Sequence, residues 1–230
     1  MSPNPKEVLE MKKVLAAIMC IFLAAVFVNG SFGTSVKAES SVSFSVNSFQ
    51  DLMEKGDKNF EAGNYNEAIK NYTAAIELDS DFADAYNSRG ATYLLKGDSD
   101  NAIKDFTQAI NLNPSFGMAY ANRGQAYVEK GEAAKALAEF NKAIEVDSTC
   151  ALAYNNRGAL YLNTGDTEKA FDDFNKAIQL EPTYAQAYNN RGAVYGNAGD
   201  TVKAKADFQK ALQLDPNNKD AANNLSKMNP

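Results

Sequence analysis

Residues 83–116 read ADAYNSRGATYLLKGDSDNAIKDFTQAINLNPSF, and this stretch decides the fold. It contains two segments with apolar residues at helical spacing: Tyr86 and Tyr93 mark the first segment, and Phe106 and Ile110 mark the second. Side chains three, four or seven positions apart share one face of an α-helix. The stretch therefore predicts two amphipathic helices in succession.

The turn between the two helices is marked by Gly97 and Asp98. A glycine favours a helix end because it accepts a positive φ, and an aspartate can cap the first turn of the next helix. We expect a first helix over 83–96 and a second over 101–112, which ends before Pro114 because the residue that precedes a proline avoids the helical conformation.

The same pattern recurs every 34 residues along the chain. One set of equivalent positions holds glycine: Gly56, Gly90, Gly124, Gly158 and Gly192. Another set holds alanine: Ala68, Ala102, Ala136, Ala170 and Ala204. A single helix pair cannot bury its apolar face alone, so repeated pairs must stack on one another into a solenoid.

The frame of Tyr86, Gly90, Tyr93, Ala102 and Phe106 resembles the tetratricopeptide repeat family. The resemblance implies an all-α fold, a right-handed α-solenoid of five helix-turn-helix repeats followed by a C-terminal capping helix. The repeats are expected at 49–82, 83–116, 117–150, 151–184 and 185–218, and the capping helix with its tail at 219–230. The triplet Asn-Arg-Gly begins at Asn122, Asn156 and Asn190.

The amino-terminal part of the chain differs from the repeats. Two lysines at 12–13 precede an apolar run over 14–28, and the sequence Val-Lys-Ala follows at 36–38. A basic start, a short apolar run and small residues before a cleavage point are typical of a secretory signal peptide.

We therefore expect a signal peptide over 1–38, with Met11 as an alternative start, and a linker over 39–48. The protein would then be periplasmic or secreted. The alternative is an uncleaved leader that anchors the protein in a membrane, and we expect membrane contact only in that case.

The composition excludes several classes of function. The 230 residues contain no histidine and two cysteines, and 29 acidic against 23 basic residues give a net charge of −6. Without histidine, Ser-His-Asp and Cys-His catalytic sites and most zinc sites are impossible. An acidic chain also lacks the basic stripe of a nucleic-acid-binding protein. We expect no enzyme activity, no catalytic residue, no metal, no cofactor and no nucleic-acid partner.

Asparagines recur at the fifth and sixth positions of the repeats. The candidate peptide-binding residues are Ser88, Asn122, Asn156 and Asn190 at the sixth position and Asn87, Asn155 and Asn189 at the fifth, and we call these seven residues the asparagine row. The resemblance implies that they line a concave groove in which family members hold partners. An amide both donates and accepts hydrogen bonds, so such a row can bind a peptide backbone. The alternative is that these side chains bond to neighbouring residues or are simply solvated.

Arginines recur at the seventh position, and an acidic residue follows each of them 16 residues later. The pairs are Arg89 with Asp105, Arg123 with Glu139, Arg157 with Asp173, and Arg191 with Asp207. The first repeat has Lys55 and the uncharged Asn71 instead. Because the two charges change together, we expect ion pairs between helices, within or between repeats, rather than an anion-binding site.

The sequence as a whole predicts a non-catalytic scaffold or adaptor that binds an extended segment of another protein in the groove. Acidic residues at the amino-terminal end of the groove, including Asp57 and Asp84, favour a peptide with basic residues. Apolar residues at the twelfth position, such as Phe60, could receive apolar side chains, or could merely cover helix junctions. The alternative is a self-assembling structural protein that forms homo-oligomers through the groove or the solenoid ends. Cys150 is expected to be a bystander.

Overall fold

The computed structural model describes residues 49–228, which form helices and turns without a strand. The helices are α1 (Phe49–Glu61), α2 (Tyr65–Leu78), α3 (Ala83–Leu95), α4 (Ser99–Leu112), α5 (Gly117–Glu129), α6 (Ala133–Val146), α7 (Ala151–Asn163), α8 (Thr167–Leu180), α9 (Ala185–Asn197), α10 (Thr201–Leu214) and α11 (Lys219–Lys227). The expected signal peptide and linker lie outside the described residues. Between residues 49 and 228, no helix has both the length and the apolar character that a membrane crossing requires.

Each repeat consists of a 13-residue first helix and a 14-residue second helix, joined by a turn that contains a glycine with positive φ. At Gly97 φ is +78°, a conformation that costs glycine little and strains other residues. The carboxylate of Asp98 accepts a hydrogen bond from the backbone N–H of Asn101 at 3.2 Å, which confirms the expected cap. Helix α4 begins at Ser99, two residues earlier than expected, because the capped turn itself is helical.

The two helices of a repeat approach closely around one aromatic side chain. Phe106 on α4 is fully buried and lies against Gly90 on α3, where a Cβ atom would stand 2.8 Å from the Phe106 ring. Ala102 packs beside this ring together with Ala126 of the following repeat. Each repeat therefore shares its core with the next one, as a solenoid requires.

The helices of successive repeats differ in their contacts. The backbones of the first helices come close to one another from α1 to α9 and on to α11, whereas within residues 49–228 no second-helix backbone comes close to that of another second helix. Because only the first helices are close together, they form the inner side of the curve, and the second helices form the outer side. The surface of α1, α3, α5, α7 and α9 is thus the concave groove.

Candidate functional site

The asparagine row lies in the concave groove, in two layers. The fifth-position residues are buried, with exposed fractions of 8% for Asn87, 3% for Asn155 and 5% for Asn189. The sixth-position residues Ser88, Asn122, Asn156 and Asn190 are partly exposed. The structure therefore places the sixth-position side chains on the groove surface and the fifth-position side chains beneath them.

Hydrogen bonds between repeats connect these two layers. The Nδ2 atoms of Asn122 and Asn190 donate to the Oδ1 atoms of Asn87 and Asn155 at 3.0 and 2.9 Å. Asn224 of α11 donates to Asn189 in the same way at 3.0 Å. Part of the asparagine row thus bonds to neighbours, as the alternative interpretation proposed, and its role in binding stays a prediction.

Asn224 belongs to the same hydrogen-bonded row, although the asparagine row predicted from the sequence did not include it. It lies 34 residues after Asn190, so the repeat spacing itself could have placed it in the groove. The capping helix therefore continues the pattern of the first helices for one more step.

The hydrogen-bonded chain is interrupted in the third repeat, because Ala121 occupies the fifth position there and offers no side-chain acceptor to Asn156. Within the described part of the chain, the Nδ2 atoms of Asn87 and Asn156 and the Oδ1 atom of Asn122 have no hydrogen-bond partner. In the carboxyl-terminal half, by contrast, the Oδ1 atom of Asn190 accepts from both Gln186 and Asn189. The free polar groups of the row therefore lie in the second, third and fourth repeats.

A mainly apolar pocket of about 220 Å³ opens in the amino-terminal part of the groove, between α1, α3 and α5. Its lining residues are Asp57, Phe60, Tyr72, Asn87, Ser88, Ala91, Met118 and Asn122. Met118, one of these lining residues, is 48% exposed. Sequence reasoning placed Asp57, Phe60 and Ser88 in the groove, but it missed Met118 and Tyr72 as parts of a pocket.

The predicted arginine–carboxylate pairs are confirmed. In the second repeat, Arg89 donates from Nε and Nη2 to the two carboxylate oxygens of Asp105 at 2.7 and 2.8 Å. Its remaining nitrogen, Nη1, donates at 3.1 Å to Thr73, which belongs to the second helix of the preceding repeat. Each guanidinium is mostly buried, and the carboxylate beside Arg89 raises its pKa, so the cation is permanent. These arginines therefore join neighbouring repeats and offer no site for an external anion.

The third repeat departs from this geometry because its acid is a glutamate. Both oxygens of Glu139 accept from Nη2 of Arg123 at 2.9 Å, and Nη1 donates to Thr107 at 3.0 Å. The Nε atom of Arg123 is left buried without a partner. Because glutamate is one methylene group longer than aspartate, its carboxylate lies beyond the position in which an aspartate carboxylate binds both Nε and Nη2 of the arginine.

The two ends of the described solenoid are polar. The tenth position of the first helix is buried in the later repeats, as at Thr92, but the first repeat has the exposed Lys58 there, paired with Glu54 at 2.6 Å. At the other end, α11 covers the last repeat, and its outward residues include Lys219 and Asn223. Neither end of the described range presents an extended apolar helix face.

Cys150 lies at the start of α7 and is 8% exposed. Burial raises the pKa of its thiol, so the reactive thiolate is disfavoured. Tyr184 nearby is half-buried, and the loss of solvent around its hydroxyl group raises its pKa to about 12. Within residues 49–228 no group of three or more acidic or cysteine side chains is arranged to hold a metal ion.

Comparison with protein families matches residues 56–97 and 124–165 to "TPR repeat", and residues 83–116, 151–184 and 185–218 to "Tetratricopeptide repeat". Together these matches cover more than half of the chain. The comparison with curated proteins gave no match.

Among solved structures, the chain is similar to TTC0263, a thermophilic TPR protein of Thermus thermophilus, with 22% sequence identity and a TM-score of 0.70 over 78% of this chain and 98% of that one. It is also similar to two structures of MamA. One has 26% identity and a TM-score of 0.52 over 74% of this chain and 93% of that one. The other has 27% identity and a TM-score of 0.53 over 70% and 94%. These similarities show the fold.

Proposed function

Because the chain belongs to the tetratricopeptide repeat family, we propose that it is a non-catalytic scaffold or adaptor that binds an extended peptide segment of another protein in its concave groove, outside the cytoplasm. Family members are commonly protein–protein interaction scaffolds. The observation that carries the proposal is the set of amide groups without protein partners on Asn87, Asn122 and Asn156, the first two of which line a mainly apolar pocket. These amide atoms are open to solvent, because within residues 49–228 the Nε atom of Arg123 is the only buried side-chain polar atom without a partner. A peptide backbone supplies both a donor and an acceptor that can replace the water on them.

The groove needs little reorganisation to bind. Asn87 and Asn122 are already held by their mutual hydrogen bond, and the helices beneath them are fixed by the arginine pairs. A preformed site loses little conformational entropy on binding, so a modest number of contacts is sufficient.

The test of peptide binding uses the full chain, purified in a mild detergent, and a displayed library of random dodecapeptides. We expect the wild-type chain to enrich related peptides, and the double variant Asn122→Ala/Asn156→Ala to lose them. Asn111→Ala is the matched control, because Asn111 is an exposed asparagine on the second helix α4. Circular dichroism establishes that all three proteins are folded. Equal binding by the double variant and the control would exclude the asparagine row as the binding site.

The location outside the cytoplasm rests on the amino-terminal sequence. We propose that residues 1–38 are a signal peptide that is removed before Glu39. The intact mass of the protein from its native cells tests this, since removal leaves a chain that begins at Glu39. A protein that retains Met1 or Met11 and fractionates with membranes would instead support the anchored form.

A further inference from the structure

We propose that the pocket between α1, α3 and α5 receives a basic side chain, lysine or arginine, of the bound peptide. The aliphatic part of that side chain lies against the apolar wall, and its cation pairs with Asp57. This inference rests on the proposed function, because it specifies which class of peptide the same groove binds.

The pocket wall suits the aliphatic part of a long side chain. Phe60, Ala91 and Met118 supply carbon surface from three successive first helices. The exposed thioether of Met118 can adapt its shape to a ligand. Lysine and arginine side chains regularly place their methylene groups along such surfaces and keep the charged end in a polar environment.

Asp57 supplies the counter-charge. One carboxylate oxygen accepts a hydrogen bond from the hydroxyl group of Tyr72 at 2.7 Å, which fixes the side chain at the pocket wall. A carboxylate has about four acceptor sites, so this bond leaves most of them free. No cation pairs with Asp57 within residues 49–228, whereas Glu54 on the same helix is paired with Lys58.

The arrangement distinguishes the first repeat from the others. The ninth position holds Ala91, Gln125, Ala159 and Ala193 in the later repeats, and the aromatic residue of their second helix is phenylalanine instead of tyrosine. Only the first repeat therefore combines a carboxylate with an apolar groove wall at this position.

Other side chains fit the pocket less well. A purely apolar side chain would remove water from the carboxylate of Asp57 without replacing its hydrogen bonds, which is costly. An acidic side chain would be repelled by the same carboxylate. A basic side chain satisfies the carbon surface and the charge together.

The experiment takes the peptides that the wild-type full chain enriches from the dodecapeptide library and measures their affinity by fluorescence anisotropy. We expect them to share a lysine or arginine, and replacement of that residue by norleucine, which keeps the carbon chain but removes the charge, to weaken binding about fivefold. In Asp57→Asn, which retains an oxygen acceptor for Tyr72, the same replacement should have no effect. Asp172→Asn is the matched control, because Asp172 is an exposed acid on the second helix α8, outside the groove, and it should behave like the wild type.

A further variant changes the side chain that holds Asp57 but keeps the negative charge of the pocket. Tyr72→Phe restores the residue type of the other repeats and leaves the charge of Asp57 in place, so the preference for a basic side chain should persist. If peptides bind in the groove but lack a common basic residue, or if Asp57→Asn keeps the fivefold effect, the inference is wrong and the proposed function stands. If no peptide binds, both are wrong.

Discussion

Replacing Glu139 with aspartate should stabilise the solenoid, although the substitution removes a buried methylene group. Glu139 contacts only Nη2 of Arg123, and the Nε atom of that arginine is buried without a partner. In the other three pairs an aspartate binds both nitrogens at 2.7 to 2.8 Å. The shorter side chain should therefore give Arg123 the hydrogen bond that it lacks.

The magnitude follows from three opposing terms. A hydrogen bond to a charged group contributes about 1.5–3 kcal/mol. The lost methylene group costs about 0.8 kcal/mol at most, since Glu139 is 17% exposed. The lower helix propensity of aspartate costs a few tenths of a kcal/mol. We expect a net gain of about 1 kcal/mol in the free energy of unfolding, or about 3 °C in Tm for a chain of this size.

The assay is urea unfolding followed by circular dichroism, with the midpoint and the slope m fitted separately. A higher midpoint with an unchanged m would show a change in stability alone. Asp173→Glu is the matched reverse substitution, since it imposes the third-repeat geometry on the fourth repeat, and it should destabilise by about the same amount. If Glu139→Asp lowers the midpoint or Asp173→Glu leaves it unchanged, the fit of the carboxylate to the guanidinium does not control stability here.

Three other substitutions test other parts of the structure. In Ala121→Asn the new side chain should accept a hydrogen bond from Asn156 and close the gap in the asparagine row. The free energy of unfolding in urea should then rise by about 0.5–1 kcal/mol. Peptide affinity should fall, because Asn156 then donates its hydrogen bond within the protein and not to a peptide. Gly90→Ala places a Cβ atom 2.8 Å from the Phe106 ring, and calorimetry should show a destabilisation of about 1–3 kcal/mol; an unchanged Tm would contradict the close helix approach. Because burial raises the pKa of Tyr184 to about 12 from its ordinary value of 10.0, the folded chain holds the phenolic proton more tightly than the unfolded chain. That contribution to stability is complete below pH 10 and is lost as pH rises toward 12, so the urea midpoint should fall above pH 10, and less steeply in Tyr184→Phe.

The repeat architecture could be predicted from the sequence because it depends on spacing. The positions of Gly90, Ala102 and Phe106 recur at a fixed interval, and helix pairs with that pattern have only one way to bury their apolar faces. The arginine pairs were predictable for the same reason, since Lys55 and Asn71 change together in the first repeat. These features depend on neighbouring residues or on the repeat spacing, so the contacts within one repeat predict those within the next.

The pocket and the hydrogen-bonded row were less predictable because they depend on departures from the repeat. Ala121 interrupts the row, and Asp57 with Tyr72 alters the pocket in a single repeat. The sequence shows these departures but not which side chains across three helices come together. The free donor of Asn156 follows from the absence of an acceptor on a neighbouring repeat, which requires the packing of α5 against α7.

The contacts among first helices, and their absence among second helices in residues 49–228, also have a mechanical consequence. Each second helix packs instead against the first helix of the following repeat, so the stack can bend by changing the spacing between successive second helices, and such bending breaks no backbone contact between them. We therefore expect it to adjust to ligands by changing its radius of curvature rather than by rearranging individual helices.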